Sequence, residues 1–505
     1  MKKILFFLFL PLFVFGQNSV INHWDKQQFV SFLRSSELKF SDLDTVELSS
    51  LKYSTFSGKG QQFELCHQQP LNDYFTVFVD ANKFSQEGVF NRSAVKMHDV
   101  DWGLIFRNKS SSYQFNSVFN YQKIEQQENG GLIDYDSGLY DDPLLYPVNL
   151  TTAQTFAKSR EFNLHHTYQF NENWRFSHSW ERRRKHHLFM DDSPDLNFHN
   201  QIFIDSLQTR DSLYNEQSRH CFGLKTGSLT LNYIALYEKY GTAFIDTSRF
   251  FHGVNLAFDF QEFSFQIDYL QSKQHDIKLN YAHKDFGISF ESKQNLAALY
   301  HENYHSNHFS WAHSWEHIKK QSLNANYSIK GFSFTLNIDR LQNHLYLDKE
   351  IVWQQEANDL YKVESKFSKA WNFGILNAHH KLSYNWVSNE GILRLPTYHL
   401  NNDFYLESDL FQNAMQAKIG LSVDYFKAYY ALAYSPSLSA MYLQNDQLIG
   451  DYPLMTAFIE AQIQSATIRL QARNVSDLFL EESHYVLPDY PYSPMAIEFG
   501  VKWEL

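Results

Sequence analysis

The residues that could do chemistry in this chain are many and scattered. Its 23 histidines invite a metal-site reading, and "HSWEH" (His313–His317) sets two of them at i, i+4. On a strand, which rises about 3.3 Å per residue, their Cα atoms would stand about 13 Å apart. Zinc–nitrogen bonds of about 2.1 Å cannot comfortably draw both side chains onto one ion. The adjacent pairs in "HHT" and "HHK" point to opposite strand faces. Serines abound beside these histidines, yet no Gly-x-Ser-x-Gly elbow places a nucleophile on a strained turn, and no glycine loop is spaced to cradle phosphate. The expectation is a protein that is not an enzyme and needs neither metal nor cofactor.

Two charged stretches remain. In "SWERRRKHHLF" (Ser179–Phe189), alternation from Phe176, His178 and Trp180 turns Arg182, Arg184 and His186 to one face. Arg183, Lys185 and His187 turn to the other. The stretch Gln127–Lys158 carries Glu128, Asp134, Asp136, Asp141 and Asp142, with no basic residue before Lys158. What either stretch can do depends on the elements that hold it.

Those elements are strands. "FSFQIDY" (Phe263–Tyr269) alternates Phe, Phe, Ile and Tyr with Ser, Gln and Asp, and "FSFTLNID" (Phe332–Asp339) repeats the scheme. "VNLAFDF", "FGISFE" and "ATIRLQA" do the same, while helical i, i+3, i+4 patterning is almost absent. The final stretch "MAIEFGVKWEL" (Met495–Leu505) alternates without a break to the last residue. A strand with one bare apolar face is unstable in water and stable where lipid covers that face. Composition agrees: 45 Phe, 31 Tyr and 10 Trp make 17% of the chain, rings of the kind that form the lipid face and girdles of an outer-membrane barrel.

Short connections are expected at Asn171–Asn173, Gly227–Ser228, Gln261–Glu262, Lys284–Asp285, Lys330–Gly331, Trp371–Asn372, Phe411–Asn413 and Ser465. Long ones are expected at Gln127–Lys158, Asp191–Gln217, Tyr434–Gly450 and Asp477–Pro494. Short turns on one rim and long loops on the other are the profile of a transmembrane antiparallel up-and-down β-barrel. Strand counting gives about 22 strands, or about 20 if Thr45–Pro70 is not a hairpin. A soluble β-sandwich or solenoid would also alternate. Strands of ten or more residues, and polar faces rich in Gln, Asn, Ser and His, argue against it.

The first segment, "MKKILFFLFLPLFVFGQ", has the charged start, short apolar run and small residue of a secretory signal peptide, residues 1–16. Residues 17–44 form a short periplasmic or lumenal segment, in which Asp25–Leu38 could be helical, and 45–505 form the barrel. Loss of Lys2 and Lys3, with no acid, moves the net charge from −12 to −14, against a nucleic-acid partner. Two cysteines, Cys66 and Cys221, are too few for a disulfide framework.

Several stretches resemble the putative porin family of Bacteroidota: "ENGGLIDYDSGLYDDPLLYPVNLTTAQTFAKSREFNLHHTYQF" (Glu128–Phe170), Gly391–Asn445, Gly450–Val475 and "YVLPDYPYSPMAIEFGVKWEL" (Tyr485–Leu505). The resemblance implies an outer-membrane β-barrel of a Gram-negative bacterium with a porin-like role. The expected mechanism is passive diffusion of small hydrophilic solutes through a polar lumen. The alternatives are a largely closed barrel acting as a scaffold for a surface partner, and a transporter of hydrophobic ligands. Residues 17–44 are too short for the plug of an energised receptor.

In that frame the acidic stretch, folded inward, would place Glu128, Asp134, Asp136, Asp141 and Asp142 at a pore constriction that favours cations. Arg183, Lys185 and His187 would form a lumenal basic rim, and Arg182 and Arg184 would meet lipid A phosphates. The expected partners are outer-membrane lipid and lipopolysaccharide, small solutes, and the barrel-assembly machinery through the C-terminal strand.

Overall fold

The structure is a computed structural model, and it describes residues 48–199, 201–480 and 484–505. The expected signal peptide, the 17–44 segment and the helix expected at Asp25–Leu38 lie outside the described residues. Twenty-two strands form one closed antiparallel sheet. They are β1 Leu48–Phe56, β2 Gly60–Pro70, β3 Phe75–Gln86, β4 Val95–Arg107, β5 Tyr113–Gln127, β6 Gln154–Gln169, β7 Trp174–Asp191 and β8 Thr209–Thr226. Next come β9 Leu229–Thr242, β10 Asp246–Phe260, β11 Phe263–Leu270, β12 Gln274–His283, β13 Phe286–Asn295, β14 Ile318–Ile329 and β15 Phe332–Gln342. The last seven are β16 Leu360–Phe373, β17 Leu376–Val387, β18 Tyr398–Leu410, β19 Met415–Phe426, β20 Leu454–Ile463, β21 Ala466–Arg473 and β22 Ala496–Glu504. The terminal strand closes the barrel as its alternation requires: β22 pairs with β1 from Ser50↔Glu504 to Ser54↔Gly500, and Leu505 N–H donates to Ser49 O at 2.8 Å. Closure leaves no bare strand edge to meet lipid.

Alternation sorts the two faces. Ile497, Phe499 and Trp503 on β22 are exposed, whereas Glu498 between them is buried among neighbours. Leu470, Ile459, Phe404, Leu256 and Phe222 continue the exposed apolar surface around the barrel. No helix among the described residues is long and apolar enough to cross a membrane. In this fold strands do the crossing.

The two rims differ as expected. Two-residue turns at 227–228, 261–262, 284–285, 330–331, 374–375 and 464–465 all fall on one rim. At Lys330–Gly331 both residues have positive φ, 45° and 71°, which matches the right-handed twist of the flanking strands. The long connections 128–153, 192–208, 296–317, 343–359, 427–453 and 474–495 all fall on the other rim. Several boundaries differ from expectation: the connections expected at Asp191–Gln217 and Tyr434–Gly450 occupy 192–208 and 427–453. Lys158 belongs to β6 rather than to the acidic connection, β16 runs through Trp371–Asn372 to turn at 374–375, and His313–His317 lies in a connection and not on a strand. Cys66 on β2 and Cys221 on β8 are unbridged thiols.

The apolar core sits at the long-loop end. Phe426, Ile449, Tyr452, Leu487 and Tyr492 form one buried cluster, and Ala297, Leu345, Leu347 and Trp353 form another. Four small hairpins in the long connections, such as Leu345–Leu347 with Trp353–Gln355, supply much of this packing. Their backbone groups are satisfied within the loops, so the loops can be buried without orphaned donors.

Candidate functional site

Every second residue of each strand points inward, and this face is largely polar, with an apolar patch of Phe84, Val95, Met97, Ile124 and Ala157 toward the long-loop end. Most of its charge is internally matched. Asp339 on β15 receives Lys320 from β14 at 3.4 Å and Lys362 from β16 at 3.3 Å. Asp276 and Glu291 share Lys278 and Lys293 at 2.7–3.7 Å. Glu460 meets Lys418 and Arg469, and His399 meets Asp424 at 3.1 Å.

One sector gathers carboxylates. Asp80 on β3 lies directly opposite Asp101 on β4, and Asp99 sits two residues away on the same face. Amide side chains reach two of them: Asn120 Nδ2 donates to Asp99 at 3.2 Å and to Asp101, and Gln122 Nε2 donates to Asp99 at 3.1 Å. Like charges directly opposed across strands are unfavourable unless a counter-charge is near. This acidic strip escaped sequence reasoning. Its signal was the Asp-x-Asp step in the polar phase of "HDVDWG", but only the register brings Asp80 beside it.

The long-loop rim is crossed by an interlocked cap. The 427–453 connection reaches from the end of β19 to the inner face of β7, where Ser439 Oγ lies 2.7 Å from His187 Nε2. On the way Leu443 N–H donates to Leu347 O at 3.0 Å, and Tyr434 OH donates to Glu128 Oε1 at 3.3 Å. Asp489 binds this connection and the 128–153 connection together: its N–H donates to Gln447 Oε1 at 3.1 Å, and its carbonyl accepts from Leu132 N–H at 2.9 Å. Asn307 ties 296–317 to 192–208 through Phe203 N–H, Ile204 N–H and Asp205 N–H.

The Asn-Gly-Gly step has a physical reason here. Gly131 has φ +94°, and a Cβ on it would stand 2.5 Å from Asp489 Cβ. Only glycine lets the two connections approach so closely.

The residues singled out from sequence fall as follows. Glu128 is buried at the root of its connection, with Gln126 Nε2 at 3.4 Å and Tyr434 as partners, and burial lifts its carboxyl to about 8. Asp136 accepts from Tyr485 OH at 2.6 Å, and Asp142 caps a short 3-10 turn by accepting from Leu144 N–H at 3.0 Å. Asp134, Asp136, Asp141 and Asp142 are exposed, so the five acids are not brought into one carboxylate cluster with buried Glu128. Arg183, Lys185 and His187 share the inner face of β7, where Arg183 Nε meets Glu161 at 2.8 Å. Arg182 and Arg184 turn outward and share Glu216, at 2.5 and 3.3 Å.

Cap histidines are held neutral. His308 Nδ1–H donates to Gln201 O at 3.0 Å and its Nε2 accepts from Thr209 at 2.8 Å, the pattern of an uncharged ring. Burial pulls its pKa down to about 4, as it does for His344, and His301 is pulled to about 3.

The barrel is similar to the ferripyoverdine receptor of the Pseudomonas aeruginosa outer membrane, at TM-score 0.61 and 9% identity over 92% of this chain and 72% of that one. It is similar to the ferric yersiniabactin uptake receptor FyuA of Yersinia pestis, at 0.61 and 8% over 92% and 81%. The ferric preacinetobactin receptor BauA of Acinetobacter baumannii gives 0.58 and 10% over 92% and 80%. At such identities the likeness is one of fold. No curated protein matches the chain by sequence. The family model described as "Putative porin" matches residues 25–505, and with nearly the whole chain matched, the protein belongs to that family of outer-membrane β-barrels.

Proposed function

We propose that this barrel is an outer-membrane channel for small hydrophilic solutes, cations in preference, with its long-loop rim outward and its mouth gated by the interlocked loops. The observation that carries this reading is the ion-paired, largely polar inner face of the 22-stranded barrel, beneath a cap tied across it by His187 and Ser439. A barrel of this strand number encloses more than the sixteen to eighteen strands that already leave an aqueous channel. The cap, and not the wall, then limits passage. The carboxylate strip of Asp80, Asp99 and Asp101 on the inner face supplies the cation preference. Diffusion is passive: the wall needs no cofactor and no covalent step.

Planar-bilayer recording tests this directly. Wild-type protein should give brief openings with a reversal potential shifted toward the cation value. A variant lacking the 434–443 crossing segment should conduct steadily. Silence from both, with each folded by heat-modifiability on gels, would sink the channel reading.

A second reading draws on another observation. Leu139, Leu144 and Leu145 of the 128–153 connection are exposed at 51–70% on the outer end of the molecule. Apolar residues presented there suit a closed barrel that holds a surface partner, and silence in the bilayer would favour it.

A further inference from the structure

The outward face of β3–β9 carries basic residues in cross-strand register. Lys83 on β3 opposes His98 on β4, His98 opposes Lys123 on β5, Lys123 opposes Lys158 on β6, and Lys158 opposes His186 on β7. One step nearer the short-turn rim, Arg160 opposes Arg184, Arg184 opposes Glu216 on β8, and Glu216 opposes Lys239 on β9. Like charges placed directly opposite destabilise a sheet, and here Lys123–Lys158 and Arg160–Arg184 are both such pairs.

The protein supplies too little counter-charge. Glu125 pairs with Lys123, Glu216 is shared by Arg182 and Arg184, and Asp246 takes Lys239 at 3.1 Å. Lys158 and Arg160, at the centre, have no ion pair among the described residues. The belt is also one-sided. At the corresponding end of β13 and β14 the outward residues include Ser292 opposite Gln321, with Lys319 beyond.

Immediately below the belt the same face turns aromatic. Trp102 opposes Phe119, and Phe162 packs edge-on against Trp180 at 5.3 Å. Trp102 is 53% exposed. A ligand that satisfies both layers must carry phosphate-like anions at one end and hydrocarbon at the other, with the two meeting at the membrane boundary.

We propose that the outward face of β4–β8 is a docking site for the phosphorylated glycolipid of the outer leaflet, lipid A. Its phosphates are held by Lys158, Arg160 and Arg184, and its acyl chains lie along Trp102, Phe119 and Phe162. Arginine takes phosphate through paired N–H donors, and lysine adds point charge. This site is on the outside of the barrel and stands or falls independently of conduction.

The test is a titration of full-length folded protein in detergent with phosphorylated lipid A, and with the same lipid dephosphorylated, read by native mass spectrometry. Phosphorylated lipid A should bind wild-type protein, with the Lys158→Gln/Arg160→Gln variant roughly tenfold weaker or more, and Lys319→Gln unchanged. Dephosphorylated lipid should bind all three proteins weakly. Inorganic pyrophosphate added in excess should compete only poorly, because it lacks the acyl chains. Equal binding of the two lipids, or an undiminished double variant that is folded by heat-modifiability, would overturn the proposal. Binding of pyrophosphate as tight as that of the lipid would overturn it in favour of a simple phosphate site. Retention of an acidic protein without lipid would do so in favour of a protein partner.

Discussion

His187 Nε2 and Ser439 Oγ lie 2.7 Å apart although 252 residues separate them. His187 stands on the inner face of β7, and Ser439 belongs to the connection between β19 and β20, on the opposite side of the barrel. One hydrogen bond therefore spans the mouth, and it reports whether the cap is in place.

Removing that bond should loosen the cap. A typical intramolecular hydrogen bond contributes about 1 kcal/mol net, so Ser439→Ala should raise the ratio of open to closed time about fivefold in single-channel records. An unchanged ratio would mean that the crossing segment is held by its apolar cluster alone.

Glu128 makes the cap sensitive to base. Its carboxyl is raised from 4.5 to about 8 by burial, so the closed cap keeps a proton that an opened loop releases. That stabilisation is complete below about pH 4.5 and is lost as the pH rises through about 8. The open fraction should therefore climb between about pH 6.5 and 8, above the range in which the cap histidines oppose it, and Glu128→Gln should flatten the climb.

Acid acts on the opposite side of the balance. His308 is lowered from 6.5 to about 4, so its contribution is complete above pH 6.5 and is lost as the pH falls through about 4. Wild-type conductance should rise again below pH 6.5. His308→Gln, which keeps a donor and an acceptor without a titrating ring, should show a smaller rise at pH 4–5.

The acidic strip sets ion preference. Asp99→Asn with Asp101→Asn should move the zero-current potential in a salt gradient toward the non-selective value while leaving steps of similar size. If instead the potential holds, the selectivity lies in the cap. Neutralising Asp141 and Asp142, both exposed, should change little.

The lipid face can be tested by stability. Ile459 on β20 is 52% exposed amid apolar neighbours, and Ile459→Lys should cost about 2–4 kcal/mol if it sits near the bilayer midplane. The measurement is the urea midpoint of barrel refolded into lipid vesicles. A loss below about 1 kcal/mol would place this part of β20 near an interface.

Much of the barrel was legible because period-two alternation and rim asymmetry are local. The stretch Phe263–Tyr269 reads as a strand and lies in β11, and the two-residue turns at 261–262, 284–285 and 330–331 fall where the pattern breaks. Trp371–Asn372 misled because Trp371 and Phe373 keep the outward phase. The turn waits for Gly374, whose φ of +70° the preceding residues do not adopt. The connections 296–317 and 343–359 were hidden by short alternating runs, such as Leu345–Leu347, that pair within the loop instead of joining the barrel. The cap was illegible for a deeper reason. Its contacts join residues hundreds of positions apart, and nothing in "SPSLSAMYL" announces that Ser439 will meet a histidine on the far wall.

The seam between β1 and β22 is what turns the sheet into a tube. Most sheet pairings join neighbours along the chain, whereas Thr55 and Phe499, which exchange hydrogen bonds across the seam, are 444 residues apart. Contacts that distant carry a large loop-closure cost and slow folding. Until they form, the sheet has two bare edges, each able to recruit a strand from another molecule. The molecule is a tube only once this seam is made, so a sheet lacking either strand keeps two open edges instead of closing as a smaller barrel.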